Sequence, residues 1–239
     1  MKYELSPLGD SAVIVQLGRV ISEETHHAVR NVTDYLQDNP IDGMVDYVPA
    51  FSSVTIFYIP MEVIQGHSYS KIASPYEIVC EQLKERFDNI TFTKRKESRT
   101  VEIPVCYEGE FGADLQIVAD HNQISVEEVI DIHTSGEYLV YMLGFAPGFP
   151  YLGGMSEKIA TPRKETPRTS IPAGSVGIAG SQTGIYPIET PGGWQLIGQT
   201  PSILFDIEKD PPTLLEPGDT IRFYSISLSE FKNMKEEQG

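Results

Sequence analysis

Apolar positions follow helical or strand-like spacing through the first half of the chain, and glycine and proline break that rhythm from about residue 135 onward. Residues 12–17, Ala-Val-Ile-Val-Gln-Leu, form an apolar run of strand length. Ser22 then offers a helix cap, and Glu23 and Glu24 sit in the first turn, where acidic groups meet the positive end of the helix dipole. Ala28, Val29, Val32, Tyr35 and Leu36 recur at helical spacing, which predicts a helix over 23–37 stopped by Asn39-Pro40. Strand-like runs follow over 43–48 and 53–59. Ser74-Pro75 opens a second helix, with Ile78, Val79, Leu83 and Phe87 as its inward stripe. A strand over 100–105 completes the order β-α-β-β-α-β, the split pattern of a ferredoxin-like α+β domain, assigned to residues 1–95.

The basic run from Thr93 to Arg99 fits either an interdomain hinge with anion contact or a solvated turn. Beyond it Asp114 is placed to cap a short helix over 115–119, and Ser125-Val126-Glu127-Glu128 is a capping box heading a helix to about His133. From Ser135 the glycines and prolines interrupt apolar runs every few residues, which forbids long helices and predicts a mainly-β barrel or sandwich over residues 96–239. Its last strands are expected over 202–207 and 219–225, with Glu216-Pro217-Gly218-Asp219 as a turn and a frayed tail from Lys235.

Composition narrows the function classes. Apolar residues make up 40% and charged residues 22% of the 239, as in ordinary globular proteins, and no run is long enough to span a bilayer. The first residues lack the apolar core of a signal peptide, so a cytoplasmic setting is expected. Cys80 and Cys106 are too few for a disulfide framework and are expected as reduced thiols. A formal net charge of −16 repels phosphate backbones and anionic lipid, which argues against nucleic-acid and membrane partners.

Standard catalytic signatures are missing: no phosphate-binding glycine loop, no H-E-x-x-H and no G-x-S-x-G, and the five histidines have no metal-ligand spacing. One dense segment remains, Gly144-Phe145-Ala146-Pro147-Gly148-Phe149-Pro150-Tyr151-Leu152-Gly153-Gly154. Rigid corners bearing large rings suit a concave apolar wall, and the same residues suit a glycine-rich barrel core; Phe145, Phe149 and Tyr151, with Tyr186 and Trp194, are the candidate lining. Lys158, Arg163, Lys164 and Arg168 supply the local positive charge, since no Lys or Arg lies between residues 169 and 208. On so acidic a chain that cluster points to an anionic ligand, with surface charge as the other reading. Arg163 and Arg168 are the candidate anion contacts, with Glu189 and Gln195 as polar neighbours. Between the glycines of the 174–187 segment, backbone N–H groups can approach a ligand oxygen closely.

Together, the 144–154 segment, Arg163-x-x-x-x-Arg168, Pro172-Ala173-Gly174-Ser175-Val176-Gly177-Ile178, Ile185-Tyr186-Pro187, Pro191-Gly192-Gly193-Trp194 and the opening Tyr3-Glu4-Leu5-Ser6-Pro7-Leu8-Gly9-Asp10-Ser11-Ala12 resemble the KipI/PxpB family, part of the carboxyltransferase and allophanate-hydrolase-subunit-1 group. The resemblance implies a ferredoxin-like domain followed by a cyclophilin-like barrel, without prolyl isomerase activity. It implies the B subunit of an ATP-dependent 5-oxoprolinase, working with a subunit-2 homologue (PxpC/KipA type) and a PxpA-type subunit, and inactive alone. ATP enters at the level of the complex: the lactam is resonance-stabilised, and phosphorylating its carbonyl oxygen would provide a better leaving group. The same family implies inhibition of a sporulation histidine kinase; the allophanate hydrolase label ranks lower.

Overall fold

A hairpin starts the chain: β1 (Glu4–Pro7) and β2 (Ala12–Gln16) run antiparallel, with Leu5 opposite Val15 and Pro7 opposite Val13. The structure is a computed structural model that describes residues 2–20, 22–65, 73–88 and 99–237, and the chain divides into two units, Met1–Lys96 and Glu97–Gly239.

In the first unit, α1 (Glu23–Asp38) begins where Ser22 accepts a hydrogen bond from the Thr25 N–H, as its sequence predicts. β3 (Met44–Pro49) and β4 (Ser53–Tyr58) follow, then α2 (Pro60–Gln65) and α3 (Pro75–Asp88). The sheet order is β1-β2-β4-β3, antiparallel throughout. Alternation in β2 and β4 turns Val13, Val15, Val54 and Ile56 inward, where they meet Val32 and Leu36 of α1 and Val79 and Leu83 of α3.

This sheet corrects the ferredoxin-like expectation. β2, β4 and β3 stand in the order that the split pattern requires, but the place beside β2 is taken by β1 rather than by the strand after the second helix. That strand, β5 (Thr100–Cys106), lies in the second unit. It pairs in parallel with β13 (Thr220–Ile226) over seven residues, and Ile103, Val105 and Cys106 are fully buried there. A run buried on both faces is stable only inside a sheet covered on both sides, which the seven-stranded sheet provides.

The second unit continues with α4 (Leu115–Asn122) and α5 (Val126–Ser135), the latter headed by the predicted capping box of Ser125 and Glu128. Its strands are β6 (Tyr138–Leu143), β7 (Pro150–Gly153), β8 (Arg168–Ile171), β9 (Ser175–Ala179), β10 (Gln182–Ile185), β11 (Thr190–Gly192), β12 (Gln195–Gln199) and β13. The large sheet has the order β10-β9-β12-β5-β13-β6-β7, and its edge strands β10 and β7 come together, so it is a nearly closed barrel. Ile103, Val140, Val176, Ile178, Ile197, Ile221 and Phe223 fill one core with Leu115, Val118 and Val129 from the helices. β8 and β11 form a separate two-stranded ribbon.

One further expectation fails at the C-terminal end. Residues 202–207 form no strand; Phe205 makes an isolated bridge to Thr213, and the flanking Pro201, Pro211 and Pro212 have no N–H with which to extend a ladder. Ahead of the tail expected to fray, α6 (Leu228–Glu236) is anchored by Phe231, which is buried against Phe111 with ring centroids 4.6 Å apart; Lys235 and Glu236 are its exposed last residues, and 238–239 lie outside the described residues. Of the basic run 93–99, only Arg99 lies within the described residues; it ion-pairs with Asp219 at 2.5 Å. No helix among the described residues is long and apolar enough to cross a membrane.

Candidate functional site

The ribbon and β12 assemble the charged cluster. Antiparallel pairing sets Arg168, the first residue of β8, opposite Gly192 of β11, so its side chain lies beside the Gly193-Trp194 corner that leads into β12. From there Arg168 donates to the Asp114 carboxylate at 2.8 Å and to the Trp194 carbonyl at 3.4 Å. Lys164 Nζ reaches the same carboxylate at 3.3 Å, and the Leu196 N–H donates to its Oδ2 at 2.7 Å. Asp114 returns its own N–H to the Leu196 carbonyl at 2.8 Å.

Asp114 therefore does not cap α4 with its side chain, contrary to the sequence expectation. It is a buried carboxylate between two cations and a strand. Burial alone would push its pKa up; the hydrogen bonds from Arg168 and Leu196 and the charges of Arg168 and Lys164 outweigh that and hold it below the ordinary carboxylate value. Nothing local distinguishes Asp114 from any acidic residue at a helix start, because the partners that define it lie 50 to 82 residues away. Arg168, expected as an anion contact, is thus largely committed to an internal carboxylate.

Arg163 is placed differently. It is exposed, and its guanidinium carbon stands 5.9 Å from the centroid of the Trp194 ring. Both neighbours are tied down: Gln195 Nε2 donates to the Pro162 carbonyl at 2.9 Å, and the Lys164 N–H donates to the Gly193 carbonyl at 2.7 Å. Gln195 is buried, and its Oε1 has no hydrogen-bond partner among the described residues. Glu189 is on the exposed side of the ribbon, accepting from Ser170 at 2.8 Å.

The five aromatic residues divide. Phe149, Tyr186 and Trp194 are 2%, 2% and 6% exposed and pack edge to face at 5.6 Å around Phe149. They are interior side chains, part of a small core with Ile171, Ala179 and Leu196. Tyr151 is half-buried beside them. Phe145 is 67% exposed and adopts φ 65°, a backbone conformation costly for a bulky residue. Its ring meets Phe149 edge-on at 5.4 Å. Burial raises the Tyr186 pKa, although its backbone hydrogen bond at Trp194 and the charges of Arg163 and Arg168 pull the other way.

Residues 3–215 match the family described as carboxyltransferase domain, subdomain C and D. The chain is 54% identical to the 5-oxoprolinase B subunit of Bacillus subtilis over 239 residues, covering 100% of this chain and 99% of the relative. The corresponding 5-oxoprolinase protein of Escherichia coli O157:H7 is 39% identical over 90% of this chain and 93% of its own. Among solved structures, a conserved uncharacterised protein of Pyrococcus horikoshii is 44% identical with a TM-score of 0.55, covering 95% of this chain and 100% of that one. The urea amidolyase of Kluyveromyces lactis has a TM-score of 0.78 at 21% identity, over 98% of this chain and 15% of that one, a likeness of fold. The chain belongs to the carboxyltransferase domain family, subdomain C and D, and within it to the KipI/PxpB group of 5-oxoprolinase B subunits.

Proposed function

We propose that this chain acts as the B subunit of an ATP-dependent 5-oxoprolinase, contributing part of a site that opens the lactam of 5-oxo-L-proline to L-glutamate. The observation that carries the reading is the end-to-end 54% identity with a protein of that name. The sequence contains no phosphate-binding glycine loop, and the charged cluster around Asp114 holds no nucleophile paired with a base among the described residues, which suits a chain that works only with others. Its partners are a subunit-2 homologue and a PxpA-type subunit, in the cytoplasm, with ATP consumed by the complex. The nearly closed barrel is the cyclophilin-like scaffold of that arrangement.

The test is reconstitution. The purified chain is mixed with its two partner subunits, ATP and 5-oxo-L-proline, and glutamate is measured. Turnover is expected only with all components present; unchanged turnover without this chain would end the proposal.

A second reading, inhibition of a sporulation histidine kinase, needs an exposed recognition surface. Exposed apolar residues of the barrel unit support it: Phe145 and Ile207 are exposed, and Gly148, three residues after Phe145, lies against Phe205. Loss of kinase autophosphorylation on titration with the chain, reversed by Phe145→Ala, is the expected result.

A further inference from the structure

We infer that Arg163 is the residue that receives the carboxylate of the small acidic substrate, and that Asp114 is the positioning residue that fixes it there. The inference rests on the 5-oxoprolinase reading and adds to it which cation does the binding and what holds that cation in place.

Four basic side chains occupy the 158–168 segment. Two of them, Lys164 and Arg168, are spent on Asp114 at 3.3 and 2.8 Å. Lys158 is exposed on a single 3-10 turn (Glu157–Ile159), where its backbone N–H donates to Ser156 Oγ at 3.3 Å. Arg163 alone combines exposure with a fixed platform, the face of Trp194. A guanidinium stacked on an indole keeps its N–H edge free, and that edge matches both oxygens of a carboxylate. On a chain of net charge −16, such a local cation favours an incoming monocarboxylate at this place over the rest of the surface.

Preorganisation comes from either side of Arg163. Pro162 is pinned through its carbonyl by Gln195, and Lys164 is pinned through its N–H by Gly193 and through its ammonium by Asp114. Asp114 is in turn locked to β12 by a reciprocal pair of hydrogen bonds with Leu196. One buried carboxylate therefore links α4, β12, β8 and the residue adjoining Arg163. Holding the guanidinium in place before the ligand arrives reduces the ordering cost of binding.

The experiment uses the reconstituted complex and measures kcat and KM for 5-oxo-L-proline, with binding of the acid and of its uncharged carboxamide measured separately. Arg163→Ala is expected to raise KM by about tenfold to a hundredfold with little change in kcat, because it removes a charge-assisted pair. It should also abolish the preference for the acid over the carboxamide, leave thermal unfolding unchanged, and be partly rescued in Arg163→Lys. Asp114→Asn should raise KM in the same direction and lower the unfolding temperature. Should that variant fail to fold, Lys164→Met tests the same tether, with a smaller rise in KM expected. An unchanged KM and unchanged acid preference in Arg163→Ala, in a complex whose turnover still requires this chain, would overturn the inference and leave the 5-oxoprolinase reading intact. Normal KM in a folded Asp114→Asn or in Lys164→Met would remove the positioning role. Turnover that ignores omission of the chain would fail the underlying reading itself.

Discussion

The Arg168 guanidinium lies 2.8 Å from the carboxylate of Asp114, a residue 54 positions earlier in the chain, and the pair joins the ribbon to the helix side of the barrel. Asp114 is buried while Arg168 remains partly exposed, so the pair combines low dielectric at one end with hydration at the other. Removing the cation leaves a buried carboxylate with only Lys164 and one N–H to balance it.

Arg168→Ala is therefore expected to destabilise the protein by about 2 kcal/mol, below the usual loss for a fully buried pair because Lys164 remains. Urea denaturation of the isolated chain measures this. Asp114 has a depressed pKa in the folded state, so its stabilising effect is present above the unfolded carboxylate value and is lost as pH falls through the folded one. The gap between wild type and Arg168→Ala should accordingly narrow in acid.

His133 gives a second pH dependence, with a window nearer neutrality. It is fully buried, its Nδ1 lies 2.7 Å from the Tyr107 hydroxyl, and its Nε2 lies 3.0 Å from Thr183 Oγ1. Thr183 donates its proton to the Gly177 carbonyl, so it accepts from Nε2–H, and Tyr107 donates to Nδ1. The ring is neutral and satisfied, and burial lowers its pKa from 6.5 to about 3. A folded pKa below the unfolded one means that its stabilisation is complete above about pH 6.5 and is lost as pH falls toward the folded value, roughly 2 kcal/mol by pH 5. His26 is also buried, and desolvation, Arg30 and His27 lower its pKa to about 4. Histidine ring resonances followed by NMR should show both failing to titrate between pH 7 and 5.

How far the sequence disclosed this arrangement depends on the range of the forces involved. Ser22, Ser125 and Glu128 act within one turn of their own helices, and the helices start where those residues predict. Thr100–Cys106 reads locally as one more strand, and its sequence is equally compatible with either sheet; only its pairing with β13, more than a hundred residues later, decides where it goes. The aromatic segment 144–154 is legible as a place of importance but not as wall or interior, because both uses call for the same rings. Asp114 is hidden for the reason that hides β5: its partners are remote.

Gly174 offers a direct test of the barrel corner. It adopts φ 82°, and a Cβ there would stand 2.4 Å from the Thr200 carbonyl oxygen, a backbone atom that cannot swing aside. The corner carries three backbone hydrogen bonds: from Gly174 N–H to Tyr186 O at 2.7 Å, from Thr200 N–H to Gly174 O at 2.9 Å, and from Ser175 N–H to Pro172 O at 3.2 Å. Gly174→Ala is expected to cost about 3 kcal/mol, combining left-handed strain with displacement of the β9–β12 pairing. Thermal unfolding should fall by several degrees, and a variant as stable as wild type would contradict this corner geometry.

Phe145 should behave in the opposite sense. Its φ of 65° puts a bulky side chain in a region where that backbone conformation costs about 1 kcal/mol or more. Glycine pays no such penalty, although it adds entropy to the unfolded chain. The exposed ring loses little burial when deleted, since its ring contact is the edge-on approach to Phe149. Phe145→Gly is therefore expected to leave unfolding unchanged or raise its midpoint slightly, while Phe145→Ala, which keeps the strain and loses the ring, lowers it slightly. The edge-on contact with Phe149 offsets only part of that strain, which leaves an exposed ring free to meet a partner. The same two variants, assayed for complex formation with the partner subunits and for kinase inhibition, should both lose whichever interaction uses that surface, and their unlike stabilities separate lost binding from lost folding.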